Sequence, residues 1–474
     1  MRPMNPLRRA GLLLLPLALH ALPALAHNGY PDTTSLTVRR DHPDDMLLGA
    51  TFGAVISHDR GQTWSWLCPE ALSYGGWRPE TYLWQPDGTL LAATGSDLIL
   101  SKDSGCTWTK HPFFTPARAK DKVLWPIGLA SPVSNPSRLW VTTGRSGTRN
   151  GLYRSDDGGE TFALTSLSSD TDVYPSVKVA PSDPTRLYVS ASTPDGLRIH
   201  RSDDEGLTWK TFPQPFSDIP TTSRPYDLFV LKVADHDPDR LWARVTSSEN
   251  SGIWTYILES RDGGQTFRSI IHPLQQEHDG LDEPFINMEV SEDGDTAWAA
   301  TQTRLFRVRA GETRATMLSL PDGNACAERH DGVLFVCGAS RLHDWALATT
   351  ADDGDSYTPV FNLPDMKPPA CPAGTPGHDV CRSRWPQFAP TIEADPSLPP
   401  TGPSPDAGTP DAGEPHPGGP DAGDSGPPPG PGVQNPPPPP KKGCSSTGGG
   451  ASLLALLVLA LPRRFRRTHP EHTP

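Results

Sequence analysis

Ser202-Asp203-Asp204-Glu205-Gly206-Leu207-Thr208-Trp209 belongs to a series. The same pattern, Ser-x-Asp-x-Gly-x-Thr followed by Trp or Phe, stands at Ser57 to Trp64, Ser101 to Trp108, Ser155 to Phe162 and Ser260 to Phe267, with a relaxed copy from Thr350 to Tyr357. Successive starts lie 44, 54, 47, 58 and 90 residues apart, and the last interval covers two ordinary steps. A seventh unit is therefore expected between Phe285 and Leu320, where only Gly311-Glu312-Thr313 keeps the turn. A second signal precedes the first by about twenty residues: Asn135-Pro136-Ser137-Arg138-Leu139-Trp140, Asp183-Pro184-Thr185-Arg186-Leu187-Tyr188 and Asp237-Pro238-Asp239-Arg240-Leu241-Trp242. Each is an Asx-Pro turn opening a β-rich run.

Every unit thus reads as four strands, in the fourth unit roughly 175–180, 186–193, 197–202 and 208–212. Seven four-stranded units of about 45 residues predict an all-β fold, a single seven-bladed β-propeller of antiparallel blades over residues 27–385. Composition agrees. With 55 prolines and 43 glycines in 474 residues, a mostly helical chain is excluded.

The repeated octapeptide resembles the Asp-box, or BNR repeat, of sialidases, sortilins, xyloglucan-cleaving propellers and photosystem II assembly factors. The resemblance implies the propeller fold and leaves function open, because the box occurs in binding proteins and enzymes alike. Its chemistry is structural: Asp59, Asp103, Asp157, Asp204, Asp262 and Asp352 accept turn amides, glycine takes the left-handed position, and the aromatic packs between blades. These aspartates are expected neither to catalyse nor to hold calcium.

With strands running outward from the axis, the boxes and Asx-Pro turns share one face, and the insertions fall on the other: residues 68–79, 111–122, 145–150, 213–225, 247–251 and 272–284. Variable loops on a repeating scaffold are where function is placed. They supply a candidate ligand face of Tyr74, Trp77, Phe113, Phe114, Arg118, Arg145, Arg149, Phe216, Arg224, His278, Asp282 and Glu283. Aromatics beside guanidinium and carboxylate groups suit a glycan or a protein surface. The acidic run His278 to Glu283 lacks the spacing of a calcium loop, and no Cys-x-x-Cys suggests zinc, so neither a metal nor a cofactor is expected.

Both ends read as addresses. Residues 1–26 have a basic start, an apolar run and small residues at Ala24 and Ala26, the grammar of a cleaved signal peptide. At the other end, Gly443-Cys444-Ser445-Ser446 precedes an apolar segment, 451–461, and a cluster of four arginines. This tail, 443–474, resembles the MYXO-CTERM sorting tail of myxobacterial surface proteins. The resemblance implies a myxosortase-type membrane protease as a partner and retention at the outer membrane or cell surface through Cys444, after lipid attachment. Between body and tail, residues 386–442 hold 20 prolines in 57 positions and are expected to form a disordered stalk.

Seven cysteines in an exported chain point to disulfides. Cys326 and Cys337 flank a hairpin turn, Cys371 and Cys381 enclose a short loop, and Cys68 and Cys106 remain as the third pair, leaving Cys444 single. Residues 27–443 carry a net charge of −19, which argues against nucleic acid as a partner. The function expected is a non-catalytic propeller displaying a face for polysaccharide or an envelope protein. The alternatives are a glycoside hydrolase of sialidase or xyloglucanase type and a purely structural envelope protein. The sialidase Phe/Tyr-Arg-Ile-Pro motif is absent, and the adjacent Asp282 and Glu283 would point apart in a strand and make a poor acid and base pair.

Overall fold

The computed structural model describes residues 32–72, 81–115, 124–220, 223–249, 252–271, 287–301, 304–312, 315–318 and 326–399. These form seven four-stranded antiparallel sheets, each built from consecutive strands. Blade 1 is Thr33–Val38, Met46–Ala50, Gly53–Ser57 and Ser65–Leu67. Blade 4, typical of the others, is Val177–Ala180, Asp183–Thr193, Gly196–Ser202 and Lys210–Pro213. The unit with the lost box is still a blade, from Asn287–Val290 to Thr316–Met317. Apolar clusters lie between successive blades, for example Tyr188 and Ile199 of blade 4 against Leu228 and Leu241 of blade 5.

The repeated turn explains why the period survives in the sequence. In blade 4, Ser202 Oγ donates to Asp204 Oδ1 at 2.8 Å, the Thr208 amide donates to the same oxygen at 2.8 Å, and Thr208 Oγ1 donates to Oδ2 at 2.6 Å. The Gly206 amide donates to Ser202 Oγ. The same network surrounds Asp59, Asp157, Asp262 and Asp352, and Asp103 shares its serine and amide bonds. The Thr208 hydroxyl and amide hold the Asp204 carboxyl at about 2, well below its ordinary value. Gly206 has φ +79°, and a Cβ there would lie 3.0 Å from the Trp140 ring of blade 3. Backbone and packing both demand glycine at that turn.

The arginine of the Asx-Pro motif has a role that the turn reading did not supply. Arg138 of blade 3 pairs with Glu205 of blade 4, Arg186 of blade 4 with Asp239 of blade 5, and Arg240 of blade 5 approaches Asp295 of blade 6 at 3.8 Å. Each guanidinium ties its blade to the next.

The ring closes without strand exchange between its ends, since blades 1 and 7 are each continuous in sequence. Instead the chain beyond blade 7 returns across blade 1. Lys367 pairs in parallel with Ser65 on the outer edge, donating its amide to the Trp64 carbonyl at 2.8 Å and accepting from the Trp66 amide at 3.1 Å. A helix, Pro376–Phe388, follows, N-capped by Thr375 with proline at its first turn. Phe388 stacks on Trp66 with ring centroids 4.3 Å apart, and Trp385, Ala389 and Ile392 join the blade 1 core.

Two sequence expectations are corrected here. The disulfides are Cys68–Cys381, Cys106–Cys371 and Cys326–Cys337. Only the last follows the expected pairing. Cys371 and Cys381 do not close their own loop because the segment carrying them lies over blades 1 and 2, where Cys68 and Cys106 wait. The stalk does not begin at Pro386, because the buried residues Ala389, Ile392 and Ala394 belong to the folded body. The signal segment, the rest of the proline-rich stretch and the Cys444 tail lie outside the described residues.

Candidate functional site

The insertion face divides its expected ligand residues into groups. Phe114 and Phe216 are corrected. They are 0% and 4% exposed, Phe114 in the blade 2–3 core with Tyr153 and Phe162, Phe216 in the blade 4–5 core near Phe267. A phenyl ring in a loop beside an open blade edge gains more from burial than from exposure. Phe113 stays 44% exposed, edge-on to Phe114 and Tyr153. Arg149 is exposed and donates to Ser168 Oγ at 3.0 Å, and Arg224 is exposed at the start of the innermost strand of blade 5. Tyr74, Trp77, Arg118, His278, Asp282 and Glu283 lie outside the described residues.

Arg145 sits in a rigid turn. The Asn150 side chain accepts from the Arg145 amide and donates to the carbonyls of Arg145 and Asp172, each at 2.9 Å. The Arg145 guanidinium lies 5.2 Å from the centroid of Trp125, a ring 41% exposed. Trp125 immediately precedes the innermost strand of blade 3, Pro126–Ala130, at its insertion-face end. Tyr226, 48% exposed, stands near the same end of blade 5's innermost strand. Sequence reasoning missed both, because they flank strands and do not fall in the long insertions.

Between the innermost strands runs an axial channel of about 920 Å³. Its wall is mixed, with Leu36, Ile127, Leu129 and Phe229 among polar groups that include Arg40, Asp227 and Arg244. Arg244 donates to Asp227 at 3.1 Å. One level of the channel can be read from sheet register. The innermost-strand residues opposite Leu47, Leu91, Trp140, Tyr188, Trp242, Trp298 and Phe335 of the second strands are Thr37, Leu83, Ala130, Lys178, Lys232, Glu289 and Glu328. Blades 4 to 7 therefore present Lys, Lys, Glu, Glu in order.

The two inner members pair: Lys232 Nζ is 2.8 Å from Glu289 Oε1. Glu289 is fully buried and also accepts the amides of Val290 and Arg329. Burial works against the Lys232 charge, but Glu289 and Glu328 outweigh it and raise its pKa. Burial pushes Lys178 down to about 8, with Lys232 adding to the effect, and pushes Glu328 up to about 7, with Glu289 adding. No group of three or more metal-binding side chains occurs among the described residues.

No family model matches the chain. A xyloglucanase of Hypocrea jecorina (strain QM6a) is 27% identical over 118 residues, which are 25% of this chain and 13% of that protein. The chain thus spans a small part of the relative it matches. Among solved structures, an ancestral GH74 enzyme superposes with a TM-score of 0.50 at 11% identity, covering 69% of this chain and 46% of its own. YCF48 from Cyanidioschyzon merolae gives 0.43 at 12% identity, covering 66% and 94%. The likeness to the GH74 enzyme is one of fold, a β-propeller.

Proposed function

We propose that this chain is an exported, surface-held propeller that binds polysaccharide on its insertion face without cleaving it. The observation that carries the reading is the Trp125 ring, exposed and braced by Arg145 in a turn that Asn150 fixes. A flat aromatic face takes the C–H face of a sugar ring, and a pre-set arginine adds hydrogen bonds without a further ordering cost. Exposed Tyr226 stands at the same end of the innermost strand of blade 5. The xyloglucanase similarity supports a polysaccharide as the ligand class.

Hydrolysis is the second reading, favoured by that same relative. Against it, the turn carboxylates are fully engaged, and Glu289 is tied to Lys232 and two amides. Cleavage needs a carboxylate able to give or take a proton beside the scissile bond; Glu328, raised by burial to about 7, is one, but it lines the axial channel, whose wall does not include Trp125. Export through residues 1–26 and retention through Cys444 by a myxosortase-type protease complete the proposal. Glycan-array binding by the purified exported protein tests it, with binding lost in Trp125→Ala. Turnover of chromogenic glycosides above a heat-killed control would replace binding with catalysis, and capture of an envelope protein with no array signal would replace the ligand. Release of Cys444→Ser protein into the medium tests the attachment.

A further inference from the structure

The four charged residues at one level of the channel are not equivalent. Lys232 and Glu289, on neighbouring blades, neutralise each other at 2.8 Å. Lys178 and Glu328 stand on blades 4 and 7, three steps apart in a ring of seven and so nearly opposite each other across the axis. Both line the channel. Among the described residues, neither the Lys178 ammonium nor the Glu328 carboxylate has an ion-pair or hydrogen-bond partner.

An isolated charge in a confined, partly apolar cavity is costly unless something of opposite sign meets it. Here two charges of opposite sign stand on opposite walls, acting through space on each other and on Lys232, Glu289 and Arg40 but making no ion pair with any of them. A simple anion would satisfy the lysine and leave the carboxylate, and a simple cation would do the reverse. A molecule with a negative and a positive end satisfies both. The channel's volume of about 920 Å³ is ample for a small molecule.

We infer that the axial channel is a binding site for a small zwitterion of the amino-acid class, its carboxylate on Lys178 and its ammonium on Glu328. In the free protein burial moves both groups toward neutrality, Lys178 downward and Glu328 upward, against their mutual attraction. The site is separate from the Trp125 surface and does not depend on a sugar binding there.

Linear ω-amino acids, from glycine to 8-aminooctanoate, serve as a ruler across the channel. Calorimetry and saturation-transfer NMR on the purified exported protein should show affinity peaking at one chain length. Alkylamines and alkanoates, with one charge each, should bind at least about tenfold more weakly, as should the ruler's best member to Lys178→Met or Glu328→Gln. Both substitutions remove an isolated charge and should leave the circular dichroism spectrum and thermal midpoint intact or improved. Lys178→Arg should retain binding, and Trp125→Ala should not affect it. Absence of binding at millimolar concentration for every length would overturn the inference, as would binding that ignores chain length or survives both charge-removing substitutions.

Discussion

Cys68 of blade 1 and Cys381 of the C-terminal helix are bonded across 313 residues of sequence, with Cα atoms 5.2 Å apart. Together with Cys106–Cys371, this bond fixes the returning segment over blades 1 and 2. A crosslink enclosing so long a loop limits the unfolded chain strongly. Replacing Cys68 and Cys381 by serine should cost about 2–4 kcal/mol. Denaturant unfolding of the variant against the parent measures it, and reduction of the parent, which also opens Cys106–Cys371 and Cys326–Cys337, should cost more than the variant loses.

Glu259 is 3% exposed and receives three guanidinium groups, Arg240 at 2.9 Å, Arg261 at 2.9 Å and Arg268 at 2.5 Å. Arg240 itself is mostly buried, over the Trp242 ring at 5.0 Å. Glu259→Ala would leave that guanidinium in the blade 5–6 seam with only the longer contacts to Asp295 at 3.8 Å and the Asp293 carbonyl at 3.5 Å. A loss of about 3 kcal/mol is expected, read from chemical denaturation.

The Glu328 carboxyl gives stability a defined pH slope. Its folded value of about 7 exceeds the ordinary 4.5, so the folded state holds the proton more tightly than the unfolded state, and stability falls as pH rises between those values. His200 acts in the other direction. Burial lowers it to about 4 from 6.5, so stability falls as pH drops through that window. Asp32, which burial also raises to about 7, adds a slope of the same sign, so Glu328→Gln should reduce the first slope and keep the second. Denaturation midpoints near about pH 5 and about pH 8 should show the variant gaining on the parent at the higher pH.

If the Trp125 platform holds a sugar ring, Trp125→Ala should weaken polysaccharide binding about tenfold or more with no change in thermal midpoint. Arg145→Ala should weaken it less, since the ring remains. Affinity electrophoresis in polysaccharide gels reads both.

The propeller could be read from the chain because its period rests on local chemistry: Ser202, Asp204, Gly206 and Thr208 satisfy one another within a single turn. No such local rule governs Cys371 or Cys381. Their partners depend on where the chain goes after blade 7, and sequence neighbourhood pointed to the wrong mates. The same limit applied to Phe114 and Phe216, whose loops fold back over open blade edges. Lys178 and Glu328 left no local signal at all, as single charged residues in short strands. Lys178 could have been found by aligning each innermost strand to the Leu-Trp or Leu-Tyr step that follows it, which places Lys178 against Tyr188 and Lys232 against Trp242, whereas Glu328 lies opposite Phe335 of a Leu-Phe step.

The disulfides of the returning segment also determine what happens when the backbone is cut. Any single break between residues 69 and 380 leaves Cys68 on one fragment and Cys381 on the other, still joined. The loops of the insertion face all lie within that interval. A protease that clips one of them makes a nicked ring that stays whole until it is reduced. On a gel the two pieces would separate only with thiol present, and each blade would keep its neighbours.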